Sequence, residues 1–203
     1  MNVIDTIIQD RKATRFYDPT FKIDSETTER LIKLGQAAPS SFNIQHCRFL
    51  VVRDQELRQQ IRSIAMNQAQ ITDASLLIVV CAKIDSWKED ISQKWNHTSK
   101  QVQGFIRQSI DEFYQNNTTM QRDEAIRSSG MASQNLMLAA QGMGLQSGAL
   151  VGFDFKKVAK LIHLPNNYII SNFIVIGRSN EVDSPKSPRL PLTHVLFENT
   201  FKL

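Results

Sequence analysis

The chain has 203 residues, of which 41% are hydrophobic and 22% are charged, an ordinary composition for a globular protein. Its formal net charge is +4, but Lys and Arg are scattered and form no block, so we do not expect nucleic-acid binding. No apolar run approaches the roughly 18 residues of a membrane helix, and the N-terminus does not resemble a signal peptide. We therefore expect a cytoplasmic protein that does not bind membranes.

The cysteines and histidines show no arrangement typical of a disulfide framework or a metal site. Cys47 and Cys81 are far apart in the sequence, and we interpret both as small core residues. The histidines are His46, His97, His163 and His194. We expect no metal ion.

The chain opens with apolar residues at helical spacing, which predicts a short helix over residues 2–10. Three cations follow within the five residues from Arg11 to Arg15. Such a cluster can be a solvated helix end favoured by the helix dipole. It can equally be a phosphate clamp, because guanidinium groups match phosphate oxygens in pairs.

A second helix is predicted from Asp24 or Ser25 to about Gly35, and a neutral polar loop over residues 37–45 follows it. The short side chains of this loop both donate and accept hydrogen bonds, which suits a planar heteroaromatic ligand with carbonyls and ring nitrogens. An ordinary turn is the commoner explanation when only the spacing is considered.

Three apolar runs predict buried strands, over residues 48–53, 76–82 and 168–177. Between the first two, residues 55–66 have the pattern of a helix. The neutral amides that follow this helix either lie in solvent at its end or contact a ligand. They are Asn67, Gln68 and Gln70.

Residues 86–117 are polar with interspersed aromatics, and helices that cover a pocket are a plausible structure for them. A strong helix is predicted over residues 124–141, and Asp154 is predicted to cap a helix over residues 155–162. Residues 145–153 are rich in small residues but lack the G-x-G-x-x-G spacing of a Rossmann fold. Because strands and helices do not strictly alternate, the pattern favours an α+β fold.

The tail joins a Pro-rich, cationic segment, residues 184–191, to an apolar segment, residues 192–201. Proline makes the first segment extended. The second can be frayed, as chain ends often are, but its apolar content favours docking, with a second subunit as one candidate surface.

Four motifs together resemble the FMN-dependent nitroreductase family. They are Arg11–Tyr17, Pro39–Gln45, the stretch from Gly144 to Asp154, and Lys186–Pro191. Each alone is weak, but their order and their spread over nearly the whole chain make the resemblance specific. It outweighs the interpretation of residues 37–45 as an ordinary turn.

The resemblance implies a single domain spanning residues 1–203, with a central mixed β-sheet wrapped by helices. It also implies an intertwined homodimer with two FMN sites at the interface and an exchanged C-terminal arm, residues 184–203. The helical region at about residues 85–120 is expected to cover the pocket and to determine substrate specificity.

The resemblance further implies which residues bind FMN. The cations are expected at the phosphate and ribityl end, and the Pro39–Asn43 residues at the flavin of the other subunit. Gln68 or Gln70, ahead of Asn67, is expected at the pyrimidine side, and the backbone at Val151 and Gly152 at the ring. The full set is Arg11, Lys12, Ala13, Arg15, Pro39, Ser40, Ser41, Asn43, Asn67, Gln68, Gln70, Val151, Gly152, Lys186 and Arg189.

Three positions depart from the family pattern. Ala13 stands where a Ser is common, Val151 where an acidic residue is common, and His46 where a Pro is frequent. The hydroxyl contact that the family pattern implies at position 13 is therefore not expected here, nor is an acidic group near the ring.

The activity implied by the resemblance is NAD(P)H-dependent, two-electron reduction of nitroaromatics or quinones on the flavin. No catalytic side chain is expected, because the chemistry belongs to the cofactor. Two alternatives stay open. One is another flavin reductase on this fold, acting on a carbonyl, an alkene or a free flavin, and the other is a flavin-binding module without turnover.

Overall fold

The computed structural model describes residues 2–179 and 186–201. Ser184, Pro185, Lys202 and Leu203 of the predicted arm lie outside the described residues.

A four-stranded sheet forms the centre of the fold. Its strands are β1 (Cys47–Val52), β2 (Leu76–Lys83), β3 (Gln146–Leu150) and β4 (Tyr168–Gly177), in the order β1-β2-β4-β3. The two longest apolar runs, β2 and β4, occupy the middle because both of their faces are covered. The predicted strands are confirmed, and β3 is an additional strand in the stretch rich in small residues.

The pairing of the strands corrects one expectation. We expected a mixed sheet, but all three pairings between the named strands are antiparallel. In the described part of the chain, parallel pairing occurs as an isolated bridge between Ala13 and Ser147. The α+β class itself is confirmed.

Seven α-helices surround the sheet in the described residues. They are α1 (Val3–Asp10), α2 (Ser25–Gln36), α3 (Gln55–Ser63), α4 (Gln70–Asp73), α5 (Lys100–Tyr114), α6 (Thr118–Gly142) and α7 (Phe155–Leu161). The predicted caps are present: Asp24 accepts a hydrogen bond from the N–H of Thr27, and Asp154 accepts two from Lys156 and Lys157.

Alternate residues of β2 face two different cores. Leu77 and Val79 pack with residues of α3 and α7 on one side of the sheet. Ile78 and Val80 pack with residues of α2 and α6 on the other. Helices α2 and α6 approach closely at Gly35, where a Cβ atom would lie 2.8 Å from the side chain of Leu136.

Two helix boundaries differ from the prediction. Helix α6 begins at Thr118, six residues before the predicted start, because Asn117 caps it by accepting a hydrogen bond from the N–H of Met120. Helix α3 ends at Ser63, because Met66 and Asn67 adopt left-handed φ angles of 53° and 52°.

The polar region after β2 forms a third, smaller core. It contains a short 3-10 turn at Ser86–Lys88 and helix α5. Its buried residues are Ile44, Trp87, Ile91, Ile106, Ile110 and Tyr114. Among the described helices, none is long and apolar enough to cross a membrane.

Candidate cofactor site

The cationic segment Arg11–Arg15 lies beside β3. The N–H of Thr14 donates a hydrogen bond of 3.0 Å to the carbonyl of Ser147. This close approach requires Gly148, because a Cβ atom there would lie 2.9 Å from the Thr14 carbonyl oxygen. A small residue in β3 therefore determines where the cations are placed.

Residues from the two ends of the chain line one cleft, which we call the cationic cleft. Its volume is about 440 Å³, within the range of about 300–1,000 Å³ typical of small-molecule sites. The lining residues are Ile8, Gln9, Arg11, Lys12, Ala13, Lys186, Ser187 and Arg189. The structure thus brings together four of the five predicted cations, whereas Arg15 is exposed and does not line the cleft.

The charge of the cationic cleft suits an anion. Its carboxylate neighbour is Asp10, which lies 3.3 Å from Nζ of Lys186. Lys186 also donates a hydrogen bond to the carbonyl of Gln9, which links the described arm to the end of α1. Cations at this end of α1 are favoured by the helix dipole as well.

Residues Ser40–Gln45, which we call the flavin loop because the resemblance predicts flavin contacts for Ser40, Ser41 and Asn43, have an unusual backbone. Phe42, Asn43 and Gln45 have φ angles of 50°, 53° and 59°. Non-glycine residues in this region cost roughly 1–3 kcal/mol each, and they cluster at ligand sites. The Oγ of Ser40 accepts a hydrogen bond from the N–H of Gln45, which closes the loop.

The flavin loop lies apart from the cationic cleft within one chain, because none of its residues lines that cleft. Pro39 and Ser40 instead line a small cavity of about 40 Å³ together with His46 and Ser128. The two groups of predicted cofactor residues therefore do not form one pocket in a single chain.

The predicted amides lie beside Val151 and Gly152. Nε2 of Gln68 donates a hydrogen bond of 3.0 Å to the carbonyl of Gly152. Asn67 instead accepts a hydrogen bond from Nε of Arg62, and Gln70 reaches Oε1 of Gln68 at 3.5 Å. Of the three amides, Gln68 is the one that contacts the Val151–Gly152 backbone directly.

Strand β3 connects the cations to the amides. The bridge at Ser147 holds the cationic segment, and Val151 follows the last residue of the strand. Four residues of extended chain span about 13 Å. An elongated ligand with an anionic end and a planar polar end matches this arrangement.

Two residues that we did not predict contact the flavin loop. Nζ of Lys94 donates a hydrogen bond to the carbonyl of Ile44, and Nε1 of Trp95 donates one to the carbonyl of Phe42. These partners are 50 and 53 residues apart in the sequence. No local pattern could have identified them.

Burial shifts the pKa values of both cysteines and of His46. Burial raises the pKa of Cys47 to about 11 and the pKa of Cys81 to about 12, so both thiols stay protonated. Burial also lowers the pKa of His46 below its ordinary value, and the charges of Lys94 and Arg48 lower it further. No group of three or more His, Cys, Asp and Glu residues in the described ranges could hold a metal ion.

Comparison with known proteins identifies relatives over nearly the whole chain. The sequence profile described as the nitroreductase family matches residues 8–178. Protein DrgA of Synechocystis sp. is 44% identical over 202 residues, covering 97% of this chain and 95% of DrgA. The FMN reductase (NADPH) of Bacillus subtilis is 26% identical over 204 residues, covering 100% of this chain and 75% of that protein.

A solved structure supports the same relationship. The NADPH:FMN oxidoreductase of Vibrio harveyi, complexed with NAD+, superposes with a TM-score of 0.79 at 25% identity. The match covers 100% of this chain and 79% of the Vibrio chain. The expected fold is therefore confirmed.

Proposed function

Because the chain belongs to the nitroreductase family of oxidoreductases, we propose that it binds FMN and catalyses the NAD(P)H-dependent, two-electron reduction of nitroaromatics or quinones. The observation that carries this proposal is the cationic cleft, to which both ends of the chain contribute. The Bacillus and Vibrio relatives, whose names include FMN and NADPH, support this choice of cofactor and reductant.

The residues at the candidate site fit FMN. Four cations line one cleft, which supports a role in holding the phosphate, since charge-assisted hydrogen bonds to phosphate are strong. They are Arg11, Lys12, Lys186 and Arg189. Gln68 and the backbone at Gly152 are placed at the other end of β3, where an amide can pair with the pyrimidine edge of the flavin.

FMN, when bound, supplies the redox chemistry by accepting a hydride from NAD(P)H and passing two electrons to an acceptor. The protein binds and orients the cofactor. Gln68 offers its side-chain carbonyl oxygen at the ring end, because its NH2 group already donates to the carbonyls of Ala65 and Gly152. The cationic cleft would neutralise the phosphate.

The proposed assembly is a homodimer with two shared sites. Each flavin would take its phosphate contacts from one chain and contacts from the flavin loop of the other. The separation of the two groups of residues within one chain supports this arrangement. So does the exposed apolar surface of the arm, formed by Leu192, Val195, Leu196, Phe197 and Phe201.

The identity of the cofactor can be tested by denaturing the purified protein and identifying the flavin that it releases. We expect purified protein to be yellow and to release FMN, identified by chromatography, on denaturation. We also expect steady-state oxidation of NADH or NADPH in the presence of a nitroaromatic or a quinone. Release of FAD, or no flavin binding after reconstitution, would contradict the proposal.

A second candidate activity is the reduction of free flavin, which the name of the Bacillus relative favours. A panel of acceptors containing nitroaromatics, quinones and free FMN decides between the two activities by their kcat/KM values. Flavin binding without oxidation of either nicotinamide would instead identify a binding module.

Gly148→Ala is expected to weaken FMN binding by displacing the cationic segment. The added Cβ atom would lie 2.9 Å from a backbone carbonyl, and overpacking of this kind typically costs about 1–3 kcal/mol. Titration of apo-protein with FMN measures the effect. Gly104→Ala is the matched control, because nothing lies within 4 Å of its Cβ position, and unchanged affinity in Gly148→Ala would contradict the expectation.

A further inference from the structure

The flavin loop is held from outside by a second segment. Nε1 of Trp95 donates a hydrogen bond of 3.1 Å to the carbonyl of Phe42, and Nζ of Lys94 donates one of 2.9 Å to the carbonyl of Ile44. In return, Nδ2 of Asn43 donates to the carbonyl of Lys94 at 3.4 Å. Three consecutive residues of the loop are thus bound to two consecutive residues of one neighbour.

This neighbouring segment is itself fixed to the sheet. The carboxylate of Glu89 lies 3.2 Å from Nζ of Lys94 and 2.6 Å from Nζ of Lys83, the last residue of β2. It also lies 3.6 Å from the guanidinium of Arg48 in β1. Lys94 is therefore held in place by a charge network anchored on two strands.

The hydrogen bonds from Lys94 and Trp95 reach the part of the flavin loop whose backbone conformation is energetically least favourable. Phe42 and Asn43 have left-handed φ angles, which bulky residues such as Phe rarely adopt. Trp95 binds the carbonyl of Phe42, and the Phe42 ring packs edge-on against Phe113 of α5 at 6.0 Å. The loop also has internal hydrogen bonds, from the N–H of Asn43 to the carbonyl of Ser40 and from the N–H of Ile44 to the carbonyl of Ser41. Neither of these bonds uses the carbonyl of Phe42 or of Ile44, which are the two that Trp95 and Lys94 bind.

We propose that Lys94 and Trp95 are positioning residues that hold the flavin loop in the conformation in which Ser40, Ser41 and Asn43 bind the flavin ring. This inference rests on the proposed function. Both residues belong to the region expected to cover the pocket. A change in that region therefore alters flavin binding as well as the choice of acceptor.

The test compares variants that remove one donor and keep the bulk of the side chain. Lys94→Met and Trp95→Phe each delete one hydrogen bond to the loop. Lys88→Met and Trp87→Phe are the matched controls, because Lys88 is exposed and Nε1 of Trp87 has no hydrogen-bond partner among the described residues. Apo-protein of each variant is titrated with FMN and with riboflavin.

We expect Lys94→Met and Trp95→Phe to weaken both ligands by the same factor of roughly three to tenfold, as loss of one net hydrogen bond predicts. The loss of affinity should be the same for both ligands, because the loop is proposed to contact the flavin ring. FMN and riboflavin share this ring and differ only in the phosphate. The visible spectrum of the bound flavin should also shift, a signature that general destabilisation would not produce. Lys94→Arg, which keeps a charged donor, should restore much of the affinity, and the controls should bind like the unsubstituted protein.

Each other outcome has a defined meaning. If the unsubstituted protein binds no flavin, the proposed function and this inference both fail. If it binds flavin and Lys94→Met and Trp95→Phe bind as tightly, this inference alone fails. It also fails if the loss is confined to FMN, or if the controls lose as much affinity as the two variants.

Discussion

Replacing Arg11 or Arg189 with alanine is expected to weaken FMN binding while leaving riboflavin binding unchanged. Both side chains line the cationic cleft, and the proposed function gives each of them charge-assisted bonds to the phosphate. Losing one such bond costs about 1.5–3 kcal/mol, or roughly tenfold to a hundredfold in affinity. Titration of apo-protein with the two ligands, which differ only by the phosphate, measures this difference directly.

Two further arginines sharpen this experiment. Arg122→Ala is the matched control, because this side chain is exposed and lies outside the cationic cleft. Arg15→Ala tests the geometry, since Arg15 was predicted at the cofactor but does not line the cleft, so its effect should be smaller. An equal loss of FMN and riboflavin in Arg11→Ala or Arg189→Ala would show that these residues do not hold the phosphate.

Deleting residues 192–203 is expected to weaken the dimer and to lower flavin occupancy in proportion to the loss of dimer. The described part of the removed segment, residues 192–201, carries five large exposed apolar side chains, and burying one of them contributes roughly 1.5–3 kcal/mol. A site shared between subunits loses its cofactor when the subunits separate. Light scattering and flavin absorbance on the same samples, over a range of protein concentrations, measure both quantities.

Substitutions in the full-length protein distinguish the effect of losing apolar contacts from the effect of shortening the arm. Replacing Leu192, Leu196 and Phe201 with serine should reproduce the effect of the deletion, whereas replacing the polar Thr193, Asn199 and Thr200 should not. A truncated protein that is monomeric with full flavin content would refute the shared site. A truncated dimer with full flavin content would remove only the role of the arm.

Local patterns in the sequence were sufficient for most of the fold. The apolar runs of β2 and β4 predicted buried strands, and the short side chains of Asp24 and Asp154 predicted helix caps. Each signal lies within a few consecutive residues. Strand β3 has no such signal, because its small residues serve close contact with Thr14 and β4 rather than apolar burial.

The candidate site was predictable only in part, for the same reason. The cations at residues 11–15 and 186–189 stood out as clusters, and the family motifs indicated that they belong together. That Arg15 lies outside the cleft depends on the pairing with β3, which the sequence does not reveal. The contacts of Lys94 and Trp95 with the flavin loop depend on packing between distant segments.

Strand β3 also fixes the distance between the two ends of the candidate site. The cationic segment is bridged to Ser147, and the backbone that Gln68 contacts begins at Val151. The residues between these two points are paired with the central strand β4. An extended strand cannot stretch, so in the proposed site the distance between the phosphate contacts and the ring contacts is fixed by residue number, at about 3.3 Å per residue. Under this proposal, the register of β3 would select ligands by their length, and substitutions in the surrounding loops would leave that length unchanged.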